Sequence, residues 1–202
     1  MVNRRIGKED SETRQHLLEA AEQLMREEGY AAVTSRKLAS FAGLKPQLVH
    51  YYFRTMDELF EALFKRVADK HLSALKEVSA QENPLVGMFE LSCDSANSVL
   101  HLEFLALANH RKNIHDQVTA FGRELNRTES AIILDVLRKE GIETPGVAPE
   151  DLSTIIETMA RGMAFAENLN ARPLGNARNI LTGCLAKFSV TLRALSEFSD
   201  AD

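Results

Sequence analysis

The apolar residues of this chain recur with the period of an α-helix almost throughout. Leu17, Ala21 and Leu24 form one apolar stripe, and Gly29 stands where a left-handed C′ residue would end the last turn. The pattern predicts a first helix over residues 11–28. No stretch has the two-residue period of a β-strand, so we predict an all-α fold.

Two short helices separated by a glycine turn are predicted next. Thr34 or Ser35 offers a side-chain oxygen that caps the first of them, which ends at Gly43. The second begins at Pro46, because a proline's missing N–H would be unpaired at the first helical position anyway. A longer helix before such a pair completes the geometry of a helix-turn-helix, in which the second short helix is the recognition helix.

Longer helices follow. Thr55–Glu58 has the spacing of a capping box, which predicts a long helix from about residue 56 to Ala80. Asn83 and the proline after it predict a single helix running to about Arg111. A further helix ends at Gly141, and a loop over residues 141–149 precedes the last two helices.

Charge is distributed unevenly along the 202 residues, whose formal net charge is −5. The first 54 residues carry nine Lys or Arg and seven Asp or Glu, whereas the rest carry fifteen and twenty-two. Three of the nine form an N-terminal basic arm: Arg4, Arg5 and Lys8. We therefore divide the chain into a helix-turn-helix DNA-binding domain, 1–55, and a larger helical domain, 56–202.

Several protein classes are excluded by the sequence. The basic start runs into acidic residues rather than an apolar segment, so no secretory signal is predicted. No apolar run approaches the roughly 18 to 20 residues that cross a bilayer, so no membrane partner is expected. Cys93 and Cys184 lack metal-ligand or disulfide-framework spacing. We therefore predict a cytoplasmic protein with reduced cysteines, no metal site and no cofactor.

The segment Thr34–Leu59 resembles the DNA-binding signature of the tetracycline-repressor (TetR) family. The resemblance rests on an Ala–Gly turn at residues 42–43, the aromatic residues 51–53 that end the recognition helix, and Glu58–Leu59 opening the next helix. It extends over residues 11 to about 65. It implies a homodimeric, all-helical transcription regulator, usually a repressor. In this family a small-molecule inducer binds the C-terminal domain, and the final two helices form the dimer interface.

Residues of the helix-turn-helix then receive roles at duplex DNA. The Gln47 amide suits bidentate pairing with adenine, and Leu48 suits contact with a thymine methyl. His50 can donate to a base or a phosphate, while Lys45, Tyr51 and the neighbouring hydroxyls suit phosphates. The alternative for the aromatic residues is ordinary core packing. The predicted DNA contacts are Thr34, Ser35, Arg36, Lys45, Gln47, Leu48, His50, Tyr51 and Tyr52.

The operator expected from a two-fold dimer is an inverted repeat. For a mostly apolar inducer, the predicted helix after Pro84 places Asp94, Asn97 and His101 on one face that continues into Phe104. A solvated stripe or a satisfied buried network would have the same spacing. The predicted ligand contacts are Cys93, Asn97, His101 and Phe104.

The last two helices carry the most regular apolar seams of the sequence. Their narrow stripes favour a partner helix, and small residues beside them would let backbones approach. The spacing alone suits an intramolecular core equally well, and the family resemblance favours a dimer. The predicted interface residues are Met159, Met163, Leu181, Leu185, Phe188 and Leu192.

Two other function classes remain as alternatives. A helical adaptor without DNA affinity would share the fold but would not shift duplex DNA. An enzyme that modifies a small molecule could use Cys93, His101 or their neighbours. However, no strand-turn-helix elbow, glycine-rich phosphate loop or paired metal-ligand motif accompanies those residues, so we predict no catalytic residue.

Overall fold

A computed structural model describes residues 11–142, 147–169 and 174–188. The predicted basic arm and Leu192 lie outside these residues. Within them the regular structure is helical, which confirms the all-α prediction. The helices are α1 (Glu12–Glu28), α2 (Ser35–Phe41), α3 (Pro46–Tyr52), α4 (Met56–Ser79), α5 (Pro84–Ser92), α6 (Ser95–Ala108), α7 (Lys112–Glu140), α8 (Pro149–Asn168) and α9 (Ala177–Ala186), with a short 3₁₀ turn at Tyr30–Ala32.

The chain divides into two compact units, each of which combines two separate segments of the sequence. The first comprises the described residues up to 70 together with 99–120, and the second comprises 71–98 together with those from 121 onward. The first unit therefore contains α1–α3, most of α4 and most of α6. The second contains the end of α4, α5, most of α7, and α8 and α9.

Local capping explains where α2, α3 and α4 begin. The Thr34 side chain accepts a hydrogen bond from the Lys37 amide at 3.3 Å, and Pro46 occupies the first turn of α3. At the start of α4 the Glu58 amide donates to the Thr55 hydroxyl at 3.1 Å, while the Glu58 carboxylate accepts from the Arg54 amide at 2.7 Å. The Thr34 and Thr55 hydroxyls thus satisfy N–H groups in the first turns of α2 and α4 that have no partner within the helix.

Two local predictions were wrong. The helix predicted from Pro84 to Arg111 is interrupted between α5 and α6, because the Asp94 side chain accepts from the Asn97 amide at 3.0 Å and so caps a new helix. Gly29 has the predicted positive φ, +82°, but its ψ of 165° lies outside the left-handed helical region. A Cβ on Gly29 would stand 3.2 Å from the Glu103 carboxylate, which accepts a 2.7 Å hydrogen bond from the Tyr30 amide.

The second unit has its own apolar core. Buried residues from α4, α5, α7, α8 and α9 form one contiguous cluster, with Leu75, Phe89, Ile133, Ile156 and Leu185 contributing one from each helix. Transfer of such side chains out of water is the main driving force for packing these helices. No helix in the described part of the chain is long and apolar enough to span a membrane.

Candidate nucleic-acid interface

The recognition helix α3 has one buried and one exposed face. Val49 and Phe53, four residues apart, are 1% and 2% exposed. Gln47, His50 and Tyr51 are exposed and lie three and four residues apart, so they share the opposite face. A short helix held by apolar residues on one side therefore presents an amide, an imidazole and a phenol on the other.

The aromatic end of α3 is held by contacts with α1. The Ser11 hydroxyl donates a 3.0 Å hydrogen bond to the hydroxyl oxygen of Tyr52, which leaves the phenolic proton to another acceptor. Tyr52 also packs edge-on against Tyr51, with ring centroids 5.0 Å apart. Phe53 belongs to the core, as the sequence predicted, and the Arg14 guanidinium lies 4.9 Å from its ring centroid. Tyr51 is 44% exposed and Tyr52 is half-buried, so of these aromatic residues Phe53 is the core residue.

Other predicted DNA contacts surround α3 and the start of α2. Lys45 is exposed immediately before α3, and its side chain makes no capping hydrogen bond. Thr34 and Arg36 are exposed, whereas Ser35 and Leu48 are half-buried. The Thr34 oxygen accepts from the backbone in its capping role, so its hydroxyl proton can still be donated elsewhere.

Two exposed residues were absent from the predicted site. Arg54 is exposed just beyond α3, and Phe41 is 40% exposed at the end of α2. The position of Arg54 directly after the recognition helix was the sequence signal for it. Phe41 could not be recognised, because an aromatic residue in a short apolar helix is more often buried. The neighbouring Lys37 forms an ion pair with Glu28, which compensates its charge.

Two of the predicted ligand residues, Cys93 and Asn97, lie in the second unit. Cys93 is buried, and its sulfur lies 3.6 Å from the Ala160 carbonyl oxygen. Burial raises the pKa of the Cys93 thiol to about 11, so the thiolate that nucleophilic chemistry requires is disfavoured. Asn97 is half-buried, and its backbone amide donates to the Asp94 side chain that caps α6.

The other two, His101 and Phe104, lie in the first unit. Phe104 is buried, and its ring packs edge-on against Phe64 with centroids 5.0 Å apart. His101 is half-buried. The Phe104 ring is therefore covered by Phe64 of α4, whereas His101 remains partly exposed to solvent.

The predicted interface residues of α8 and α9 mostly face the chain's own core. Leu185 belongs to the buried cluster of the second unit, and Met163, Leu181 and Phe188 pack against that cluster. Met159 is half-buried. The exposed large apolar residues of the two helices are instead Ile155, Phe165 and Ile180, and Leu169 is exposed directly after α8.

A group of polar residues inside the second unit was missed by the sequence reasoning. Glu129 on α7 is 3% exposed, and its carboxylate accepts a 2.7 Å hydrogen bond from Ser153 on α8. Glu157 and Arg161 form an ion pair on the same face of α8. Both act electrostatically on Glu129 and on His71 of α4. We call these residues the polar cluster: His71, Glu129, Ser153, Glu157 and Arg161.

Their ionisation is strongly affected by burial. Burial, reinforced by the Glu157 carboxylate, raises the pKa of Glu129 from 4.5 to about 7, while the Ser153 hydrogen bond and Arg161 act in the opposite direction. Burial also lowers the pKa of His71. The sequence signal was the interruption of apolar stripes. Glu129 stands four residues after Leu125 and four before Ile133, both of which are buried.

The helix-turn-helix segment is similar to a known family of proteins. Residues 17–63 match the family model for bacterial regulatory proteins, tetR family. The HTH-type transcriptional regulator PksA of Bacillus subtilis is 27% identical over 112 residues, which represent 51% of this chain and 55% of that regulator. The chain therefore matches about half the length of this relative.

Two solved structures share the fold over most of the chain. A transcriptional regulator from Saccharomonospora viridis, solved with choline, has a TM-score of 0.72 and 21% identity, covering 88% of this chain and 95% of its own. The regulator FadR from Bacillus subtilis, solved with stearoyl-CoA, has a TM-score of 0.66 and 15% identity, covering 85% and 97%. The similarity to the tetR family of bacterial regulatory proteins therefore covers residues 17–63, and the solved structures extend the likeness in fold to most of the chain.

Proposed function

We propose that this protein is a cytoplasmic transcriptional regulator that binds an inverted-repeat operator as a homodimer and is released from it by a small molecule. The observation that carries the proposal is the exposed face of α3, where Gln47, His50 and Tyr51 project from a helix anchored by buried Val49 and Phe53. The helix lies in the segment that matches the family model of bacterial regulatory proteins. Such a helix fits the major groove, where base edges can be read.

The contacts divide into those that position the protein and those that select a sequence. Gln47 can form two hydrogen bonds with an adenine, and Leu48 can contact a thymine methyl. Lys45, Arg54 and Tyr51 are exposed around α3 and can bind phosphates, which adds affinity without sequence preference. His50 can do either. Thr34, Ser35 and Arg36 would contact phosphates from the start of α2.

The test uses an operator that the protein itself selects from a random DNA library. Lys45→Ala should weaken binding to all sequences and reduce the salt slope by about one unit per half-site, because one phosphate contact is lost. Lys139→Ala is the control, since Lys139 is exposed in the second unit. Gln47→Ala should relax base preference at one symmetric pair of operator positions. An unchanged preference would refute its role.

Dimerisation would use the outer face of α8. Ile155, Phe165 and Leu169 are exposed, and a Cβ on Gly162 between them would meet nothing within 4 Å. A second copy would remove this apolar surface from water. Met159, Met163, Leu181 and Phe188 were predicted for the same role from spacing. Substituting the buried Leu185 would test folding rather than association.

Phe165→Asp should dissociate the dimer in sedimentation experiments at micromolar concentration, because an unpaired charge would be buried in the interface. Leu134→Asp, at an exposed apolar position of α7, is the matched control and should leave the dimer intact. A monomeric parent protein, or a dimeric Phe165→Asp variant, would contradict this interface.

Release by a small molecule requires a link between ligand and DNA. Only three residues, 53–55, separate α3 from α4, so a displacement of α4 is transmitted to the recognition helix with little slack. An effector that distinguishes two arrangements by about 1 to 3 kcal/mol changes DNA affinity some 5- to 150-fold. The two structural neighbours hold ligands as different as choline and stearoyl-CoA, so the chemistry of this chain's ligand depends on its own residues. The sequence predicted Asn97 and His101 as its polar contacts, and these two residues belong to different units.

A further inference from the structure

We propose that the polar cluster binds the cationic head of a small amphipathic amine. The inference rests on the proposed function, because it gives the ligand of the helical domain a chemical class. It places the ligand's polar contacts on α4, α7 and α8, which contribute His71, Glu129 and Glu157. None of these residues was predicted as a ligand contact from the sequence.

The geometry of α8 directs the cluster toward α7. Ser153, Glu157 and Arg161 are spaced four apart, so they lie along one side of the helix. Ser153 is buried and receives a 3.2 Å hydrogen bond from the Asn126 amide of α7, in addition to donating to Glu129. The polar side chains are therefore held within one unit by interhelical hydrogen bonds.

Two atoms of the cluster have no hydrogen-bond partner among the described residues. They are the Nε2 atom of His71 and the Oε2 atom of Glu157, and both are buried from solvent. Buried polar atoms are normally paired, because leaving them unpaired costs free energy. Their occurrence in one cluster indicates a place where a ligand supplies the missing hydrogen bonds, and the Glu157 oxygen specifically requires a donor.

Charge balance favours a cationic donor. The Arg161 guanidinium already pairs with Glu157, so it compensates one of the two carboxylates. The lowered pKa of His71 keeps that ring neutral near pH 7. Glu129 is then a buried carboxyl that forms no ion pair within the described part of the chain, although Arg161 acts on it electrostatically, and it holds a proton up to about pH 7. An ammonium group would replace that proton and donate to the unpaired Glu157 oxygen.

The apolar residues beside the polar cluster indicate what the rest of the ligand would be. Leu125 lies one turn from Glu129 and Ile156 adjoins Glu157, and both belong to the buried apolar core. Phe121 packs edge-on against the His71 ring, with centroids 6.1 Å apart. These neighbours suit a short alkyl body. A metal ion is a weaker candidate, because no three His, Cys, Asp or Glu residues of the described chain are grouped to hold one.

Isothermal titration with octylamine, octanol and octanoate tests the proposal, because the three probes share a chain and differ in head group. Octylamine should bind at least tenfold more tightly than octanol, and octanoate should bind least. As pH increases toward 7, the octylamine affinity should rise by up to tenfold per pH unit, because Glu129 must release its proton before the ammonium can replace it. Above pH 7 it should become constant.

Glu129→Gln should lower octylamine affinity at least tenfold at pH 8 and remove its pH dependence. Glu124→Gln, at an exposed position of the same helix, is the control and should change neither. Glu157→Gln tests the same site independently and should also lower the affinity, because it leaves Arg161 without its carboxylate. Circular dichroism before titration confirms that each variant is folded.

Equal affinities for octylamine and octanol, no octylamine binding, or full octylamine binding by both folded variants would overturn the proposal. Affinity of the ligand-free protein for its selected operator is measured in parallel. If the unmodified protein does not bind operator DNA, the regulatory function is refuted. If it binds the operator but not octylamine, the amine site alone is refuted.

Discussion

The stability of the protein should depend on pH through Glu129, and replacing it with glutamine should remove that dependence. An unfolded glutamate releases its proton near pH 4.5, whereas the buried Glu129 carboxyl holds it to about pH 7. Between these values the free energy of the unfolded state falls relative to that of the folded state as pH rises, because only the unfolded carboxyl has released its proton. The contribution of Glu129 to wild-type stability should therefore fall through this window and reach a plateau above it.

The expected magnitude follows from the two pKa values. Raising the pKa of Glu129 from 4.5 to about 7 lowers this group's contribution to wild-type stability by about 2.5 kcal/mol between pH 5 and pH 8. Glu129→Gln cannot ionise, so its stability relative to wild type should increase by that amount over the same interval. The Ser153 hydroxyl can still donate to the glutamine carbonyl, so the variant keeps the interhelical hydrogen bond.

Urea unfolding at pH 5, 6, 7 and 8 measures this difference, with protein concentration fixed because a dimer's stability depends on it. Glu124→Gln removes a carboxylate from the exposed side of the same helix, and its difference from wild type should stay nearly constant with pH. A Glu129→Gln difference that is equally constant would refute the raised pKa of Glu129 and the burial that causes it.

Two further predictions concern the packing of each unit. Gly87→Ala should lower stability by about 1 to 3 kcal/mol in urea unfolding, because its Cβ would lie 2.7 Å from a Val78 methyl, whereas Gly122→Ala, with nothing within 4 Å, should raise it by up to about 1 kcal/mol. Equal effects at both glycines would refute the close approach at Gly87. Glu103→Ala should lower thermal stability by about 1 to 3 kcal/mol, because the part-buried Tyr30 amide loses its carboxylate acceptor, and an unchanged melting temperature would refute that contact.

The parts of the fold that the sequence predicted are those with local causes. Thr34 caps α2, Pro46 begins α3 and the Thr55–Glu58 pair begins α4, and each requires only residues within one helical turn. The buried face of α3 could be predicted from the sequence equally well, because Val49 and Phe53 have the spacing of a single apolar stripe. The exposed face that carries the DNA-binding proposal follows from that stripe.

Of the two features that it missed, one is local and the other depends on contacts distant in sequence. The break before α6 is made by one Asp94 side-chain bond, within a segment whose apolar residues suit an uninterrupted helix. The polar cluster could be seen in sequence only as interruptions of apolar stripes at His71 and Glu129. The sequence does not show that these positions are close to Ser153 and Glu157, because tertiary packing alone brings those residues together.

Helix α8 illustrates why spacing alone could not separate a core seam from an interface. Its inner side carries Ile156 and Ala160, which are buried in the second unit, while Ile155 and Phe165 are exposed on the outer side. Three- and four-residue steps occur on both sides, so an apolar repeat fits either. A helix that is apolar on two sides is stable in water when both are covered. The chain's own core covers the inner side, which leaves the outer side, with the open position at Gly162, for the second copy that we propose.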